Sequence, residues 1–343
     1  MKKRLKVLVI RFSSIGDIVL TTPVLRCLKK LDEKEVELHF VTKKRFASIL
    51  QDNPHIDQLH QLDGKLSPLI ARLRRERYDF LIDLHHNTRS AIIKLALRRP
   101  SGSFYKMNIE KWLLTRFKVN RMSPVHVVDR YFAATASLGV KNDGKGLDFF
   151  LPAGKTWPLK VVPPGFHNDF IAFAIGGRHA TKRLPNEKII SIIKKLPLTV
   201  VLLGGNDDSS NGRIIAEACG QQVFNACGLL TLKESAFLVK QAKLVIAHDT
   251  GLMHIAAAFN KHIVSVWGNT VPDFGMYPYM PEHAHRLYIA EVKDLSCRPC
   301  SKIGYRKCPK GHFDCMIKID EGKIIDAVNL MLTSRKTQQS KHI

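Results

Sequence analysis

Short apolar runs rich in β-branched residues alternate with amphipathic stretches along the chain, and this alternation restricts the fold more than any other property. Strands are read at 7–10, 35–44, 78–86, 169–177, 198–205, 242–249 and 262–268. Helical patterns lie between them at 127–139, 186–196, 211–219, 231–241 and 252–259. Strands separated by helices pair in parallel, and parallel strands covered on both faces read as continuous apolar runs. The expected fold class is therefore α/β, with helices on both faces of each sheet. A Pro- and Gly-rich break, LPAGKTWPLKVVPPGFHND (151–169), separates two stretches of similar pattern. It predicts two Rossmann-like doubly wound domains, 1–155 and 165–319, then a helix near 320–333 and a tail to 343.

Charge narrows the partners. The 54 Lys and Arg against 30 Asp and Glu leave a formal +24, which predicts an anionic partner: nucleic acid, an acidic membrane or a phosphorylated substrate. The segment 97–121 interleaves Arg and Lys with Phe104, Tyr105, Trp112, Leu113, Leu114 and Phe117. Such a stretch suits stacking on single-stranded nucleic acid, docking on lipid headgroups, or simply a helix covering the core. No RNA- or DNA-binding signature accompanies it, so nucleic acid is not the expected partner. No apolar run reaches the length of a membrane span. The apolar run at 7–10, between Lys6 and Arg11, is too short for a signal peptide, so a cytoplasmic protein is expected, soluble or peripheral on a membrane. Seven cysteines in that compartment read as free thiols or metal ligands. Cys297, Cys300, Cys308 and Cys315, spaced C-x2-C-x7-C-x6-C with His312 nearby, suit either tetrahedral zinc or simple free thiols.

Ligands of doubly wound folds bind beyond the carboxyl ends of strands, so the loops there matter most. The first follows 7–10 and carries Ser13, Ser14, Gly16 and Asp17. Only one glycine is present, and the carboxylate after it repels phosphate, so this is not a dinucleotide loop. The second, GGRHATKRLP, offers Thr181 and Lys182 as phosphate ligands without being a Walker A loop. The third is GGND at 204–207, suited to a base or ribose. The fourth is AHDTGLMHIAAA, where Asp249 suits sugar hydroxyls, Thr250 a helix N-cap and Gly251 close backbone approach. Each loop taken singly reads as ordinary capping and turn chemistry, and only the set points to a ligand. His85 and His86, at another strand end, fit acceptor contacts or a structural role. Pro23 falls inside the helical pattern that ends at Lys29 and Lys30, and either kinks that helix or marks its start after Thr22.

The stretches VIRFSSIGDIVLTTPVLRCLK, TKRLP, VIAHDTGLMHIAAA and WGNT resemble the lipopolysaccharide heptosyltransferases of glycosyltransferase family 9. The resemblance implies a GT-B architecture, two Rossmann-like domains facing across a cleft, with the last helix crossing back to the first domain. It implies an inverting transfer, needing no metal or other cofactor, of heptose from an ADP-sugar to a phosphorylated lipid A–core acceptor. By motif position Asp17 is then the general base, with Ser13, Ser14 and Gly16 in the acceptor-side loop. Thr181 and Lys182 hold the donor diphosphate, while Asp249, Thr250, Gly251 and His254 line the rest of the donor site. Arg178, Arg183 and the helix N-terminus at Gly251 add positive charge for the leaving group. In that setting Lys106, Lys111, Arg116, Lys118 and Arg121, with Trp112, Leu113 and Phe117, are expected to meet the anionic inner membrane or the acceptor's phosphates.

Overall fold

A computed structural model of the chain describes residues 3–152 and 161–339, so 153–160 of the Pro/Gly break, the first two residues and the last four lie outside it. The chain forms two compact units, Met1–Met107 with Pro124–Pro152, and Asn108–Ser123 with Ala153–Ile343.

The first unit follows the alternating pattern. It contains β1 (Lys3–Ile10), α1 (Ile15–Val19), α2 (Thr22–Lys29), β2 (Lys34–Lys43), β3 (Gln58–Leu62), α3 (Leu66–Arg75), β4 (Phe80–Asp83), α4 (Thr88–Leu97) and β5 (Ser101–Ser103). After α5 (Asn108–Phe117), which packs with the second unit, α6 (Val127–Phe132) completes it. The strands lie in the order β3-β2-β1-β4-β5, all parallel. Val7 to Ile10 are wholly buried because β1 is central and covered on both faces, which is why that run carries no polar residue. The helical pattern after β1 is two helices, not one. Pro23 lies in the first turn of α2, where its missing N–H costs nothing, and the chain bends between Val19 and Thr22.

Polar groups are also buried in this sheet. His39 on β2, His60 on β3 and Tyr78 before β4 bring Nδ1, Nε2 and Oη within 2.9 to 3.1 Å of one another. His39 Nε2 lies 3.0 Å from Glu37 Oε1, so Nε2 carries the proton and Nδ1 accepts. A chain of protons from His60 through Tyr78 to His39 and Glu37 satisfies all of them, and Lys6 Nζ neutralises Glu37 (3.1 Å) and Glu76 (2.5 Å). His39, His60 and Glu76 are also the one group of His, Cys, Asp and Glu among the described residues whose ligand atoms lie within 4.8 Å of one another.

The second unit contains β6 (Phe170–Ala174), α7 (Asn186–Ile193), β7 (Thr199–Leu203), α8 (Ser209–Cys219), β8 (Val223–Asn225), α9 (Leu232–Gln241) and β9 (Leu244–His248). It continues through α10 (Gly251–Ala258), β10 (His262–Trp267), β11 (Leu287–Glu291), α11 (Asp314–Ile317) and α12 (Glu321–Gln339). Its strands lie in the order β11-β10-β9-β6-β7-β8, again all parallel. Helix α12 packs on α7, β9, β10 and β11 of this unit, and its Ile324 and Val328 are wholly buried. Helix α5 joins the unit by burying Leu114 against Val271 and Phe274, while Lys118 Nζ donates to Pro299 O at 2.7 Å.

Burial pushes His60 down to about 4, with His39 as the next cause, and burial likewise lowers His39. A base whose folded pKa is depressed contributes stability that is complete above its unfolded value, about 6.5, and is lost as pH falls toward the folded pKa. Denaturant midpoints should therefore fall between pH 7 and pH 4.5. His60→Phe should start lower but fall less steeply across that window; an unchanged slope would remove the cluster from the pH dependence.

Candidate functional site

Sheet order reverses between β1 and β4 in the first unit and between β6 and β9 in the second. The loops leaving those four strands carry most of the residues singled out above, as the placement of ligands at such reversals requires.

In the first unit the guanidinium of Arg11 turns inward immediately after β1 and is buried. Its Nε donates to Ser13 O (2.9 Å), Nη1 donates to Leu84 O, and Nη2 pairs with Asp17 Oδ1 at 2.5 Å. Asp17 Oδ2 accepts from Ser14 N–H at 2.9 Å and from Ser14 Oγ–H at 2.6 Å. Asp17 is thus fixed at both oxygens in the first turn of α1, beside a guanidinium and a helix N-terminus that both stabilise negative charge. Burial opposes the Arg11 charge, yet Asp17, Tyr131 and Asp83 outweigh it and hold its pKa above the ordinary value. Gly16 is buried, Ser13 half-buried and Ser14 exposed. His85 stacks edge-on against Phe12, its ring centroid 5.0 Å away, and burial, then Arg11 and Lys106, push it down to about 4, so its imidazole is neutral. His86 is exposed and donates its backbone N–H to Asp83 Oδ1 (2.7 Å).

In the second unit Lys182 Nζ pairs with Asp249 Oδ2 at 2.5 Å, and Thr270 Oγ1 donates to the same oxygen at 2.9 Å. The two side chains assigned to diphosphate and sugar are thus partners of each other. An ammonium with three donors can hold this carboxylate and a phosphate together. Thr181 is placed differently from expectation. Its side chain is buried, its Oγ1 accepts Tyr305 N–H (2.8 Å), and its hydroxyl proton faces Asn269 Oδ1 (3.1 Å) and Tyr305 O (3.2 Å). It ties the 178–183 loop to the segment around Tyr305, so it is a structural tie where a free phosphate ligand was expected.

Thr250 caps α10 without a side-chain bond to the helix, and its Oγ1 is buried with no hydrogen-bond partner. Gly251, next in line, is half-exposed at the helix start, and His254 is buried one turn further on. His248, the last residue of β9, accepts Leu184 N–H at 3.0 Å, and burial pushes it down to about 4. Arg183 closes the loop after β6 by donating Nε to Gly177 O (2.6 Å) and pairing Nη1 with Asp208 at 3.0 Å. Arg178 is exposed, while burial, then Arg178 and Lys182, lower His179. In GGND, Gly205, Asn206 and Asp207 are exposed, and the neighbouring Asp208 accepts Gly205 N–H at 2.9 Å.

Sequence reasoning passed over Arg11 and Arg298, and gave Asn269 and Thr270 of the WGNT motif no role. Arg298 is nearly buried, donates Nε to Gly268 O (2.6 Å) and Nη2 to Thr270 O (3.0 Å), and pairs with Glu291 at 2.7 Å. Gly268 lets this backbone approach closely, since a Cβ there would stand 2.7 Å from Thr181 O. A charged residue directly after an apolar strand, or beside a cysteine, was the available signal. None of the four cysteines is in a disulfide; Cys297 Sγ lies 3.9 Å from His312 Nε2, and burial, first among its causes, pushes Cys315 up to about 12. No three of the thiols are drawn within 4.8 Å of one another.

Residues 67–306 match glycosyltransferase family 9 (heptosyltransferase). Lipopolysaccharide heptosyltransferase 1 of Campylobacter coli is 26% identical over 293 residues, covering 78% of this chain and 84% of that protein. The crystal structure of a family 9 glycosyl transferase from Veillonella parvula superposes with a TM-score of 0.76 at 22% identity, over 96% of this chain and 98% of the other. E. coli ADP-heptose lps heptosyltransferase II superposes with a TM-score of 0.69 at 22% identity, over 97% and 100%. Two parallel doubly wound sheets in this order are the GT-B fold of those proteins. Matched over most of its length, the chain belongs to glycosyltransferase family 9, the heptosyltransferases, and is a glycosyltransferase.

Proposed function

We propose that the protein transfers a heptosyl group from ADP-heptose to a phosphorylated lipid A–core acceptor of lipopolysaccharide, with inversion, and that Asp17 is the general base. The observation that carries this reading is the carboxylate of Asp17, fixed at both oxygens at the sheet reversal of the first unit in a family 9 chain. Asp17 accepts the proton of the attacking hydroxyl as that oxygen bonds to the anomeric carbon. The bond from the anomeric carbon to the diphosphate breaks on the opposite face, and ADP leaves with its electron pair. Arg11 and Ser14 orient the carboxylate. The departing charge is met by Lys182 and by the N-terminus of α10, where Thr250 Oγ1 and Gly251 N–H supply donors. Asp249 takes hydrogens from sugar hydroxyls, and His254 lines the same end of α10. The family match does not favour nucleic-acid binding, nor does it favour nucleotide-sugar oxidoreduction or epimerisation.

The same proposal places the protein on the cytoplasmic face of the inner membrane. Among the described residues no helix is long and apolar enough to cross a membrane. Helix α5 instead exposes Ile109, Trp112 and Phe117, with Arg116 and Arg121 exposed beside them, a basic surface with apolar anchors that suits anionic headgroups. Lys118 is tied to Pro299 and Lys106 belongs to the first unit, so neither is counted among these.

Asp17→Asn should lower transfer by roughly two to four orders of magnitude, the worth of a positioned general base. Its affinity for ADP-heptose, read by calorimetry, should stay near wild type, whereas Lys182→Ala should weaken donor binding as well as turnover. Near-normal turnover in a folded Asp17→Asn protein would sink the mechanism. Replacing Lys111, Arg116 and Arg121 by Gln should weaken co-sedimentation with phosphatidylglycerol vesicles and soften its salt dependence. Equal binding at all salt concentrations would leave α5 as a helix that only covers its unit's core.

A further inference from the structure

Three loops stand side by side at the carboxyl edge of the first sheet, because Ile10 is in register with Asp83 and Asp83 with Ser103. The chain leaving β1 places Arg11 there, the chain leaving β4 places His85, and the chain leaving β5 places Lys106. Most charged groups at this edge are engaged. Arg11 is held by Ser13 O, Leu84 O and Asp17. Asp83 Oδ1 accepts the backbone N–H groups of His85 (3.0 Å) and His86 (2.7 Å), and its Oδ2 faces Lys94 Nζ at 3.2 Å.

Lys106 is the exception. It is half-buried and makes no hydrogen bond or ion pair among the described residues. Burial first, and Arg11 next, pull its pKa below the ordinary value, against the smaller pull of Asp83 and Asp17. Beside it the Nδ1 of His85 is buried with no hydrogen-bond partner. A half-buried cation without a counter-ion, next to an orphaned ring nitrogen, is unfavourable and is relieved by a bound anion.

We infer that Lys106 binds an anionic group of the acceptor, a carboxylate or a phosphate close to the attacking hydroxyl, with His85 Nδ1 as a second polar contact. The inference rests on the reading of Asp17 as the base and of this edge as the acceptor side. Lys106 then selects the acceptor by charge, while Asp17 acts on its hydroxyl.

The test compares wild type, Lys106→Gln and Lys106→Arg on core-truncated lipopolysaccharide, on the same acceptor after dephosphorylation, and on the same acceptor with its carboxylates reduced to alcohols. On the intact acceptor the Gln variant should raise KM about 10- to 100-fold, the worth of one charge-assisted contact, with a smaller loss in kcat, and the Arg variant should recover most of it. On the acceptor stripped of the relevant anion, wild type and Gln variant should have the same KM. The arm that equalises them identifies phosphate or carboxylate. An unchanged KM on the intact acceptor, or an equal rise on all three, overturns the inference. A second reading needs no turnover: in Asp17→Asn protein the intact acceptor should shield Lys106 from an amine-acylating reagent, followed by peptide mass spectrometry. Absence of shielding overturns the inference whatever Asp17 does. Shielding combined with a fully active Asp17→Asn protein keeps the anion contact and removes only the base.

Discussion

Parallel pairing of every strand governs where chemistry can occur in this protein. Neighbouring parallel strands end at the same edge, and each connection must return across a face before the next strand begins. Both sheets therefore concentrate their polar loops along one edge, and the reversal in strand order leaves two of those loops divergent enough to hold a side chain between them. Arg11 illustrates the result: its three contacts come from its own loop, from the next strand's loop and from the first turn of α1. Loss of the β1–β4 register would take Leu84 O away from the guanidinium.

In the proposed transfer, both halves of the chemistry would use a carboxylate and a cation already in contact. Arg11 with Asp17, and Lys182 with Asp249, each join opposite charges at 2.5 Å. Such pairing limits the reorganisation needed when substrate arrives, which is the physical basis of electrostatic preorganisation. The two pairs differ in what remains available. Arg11 is buried and bonded at each of its three nitrogens, so in that reading it acts through Asp17. Lys182 is a flexible point charge with donors to spare, so it is able to meet a ligand directly.

The alternation of strands and helices was legible because buried parallel strands need unbroken apolar runs, and most of the strand positions read from sequence hold to within a few residues. The strands left unread, β3, β5, β8 and β11, are short or carry polar and half-buried residues, as in QLHQL, SGS and VFN. Edge positions leave a strand without the apolar signature. The GT-B fold and the family were readable from motifs at strand ends, whereas the role of Thr181 was not. Its hydroxyl is consumed by Tyr305 and Asn269, residues 124 and 88 positions away, and such partners leave no trace in local spacing. Lys106 was grouped by composition with its basic neighbours, yet register across three strands sets it apart from them.

Helix α5 lies in the sequence between two parts of the first unit but packs with the second. The polypeptide consequently passes from one unit to the other three times, near residues 107, 123 and 152, instead of once. Cutting at the Pro/Gly break would not yield two intact halves. A fragment starting there would lack Leu114 and expose Val271 and Phe274, while the complementary fragment would carry a helix with nothing apolar of its own to cover. The two units are modular in fold, but the covalent thread makes them one inseparable piece.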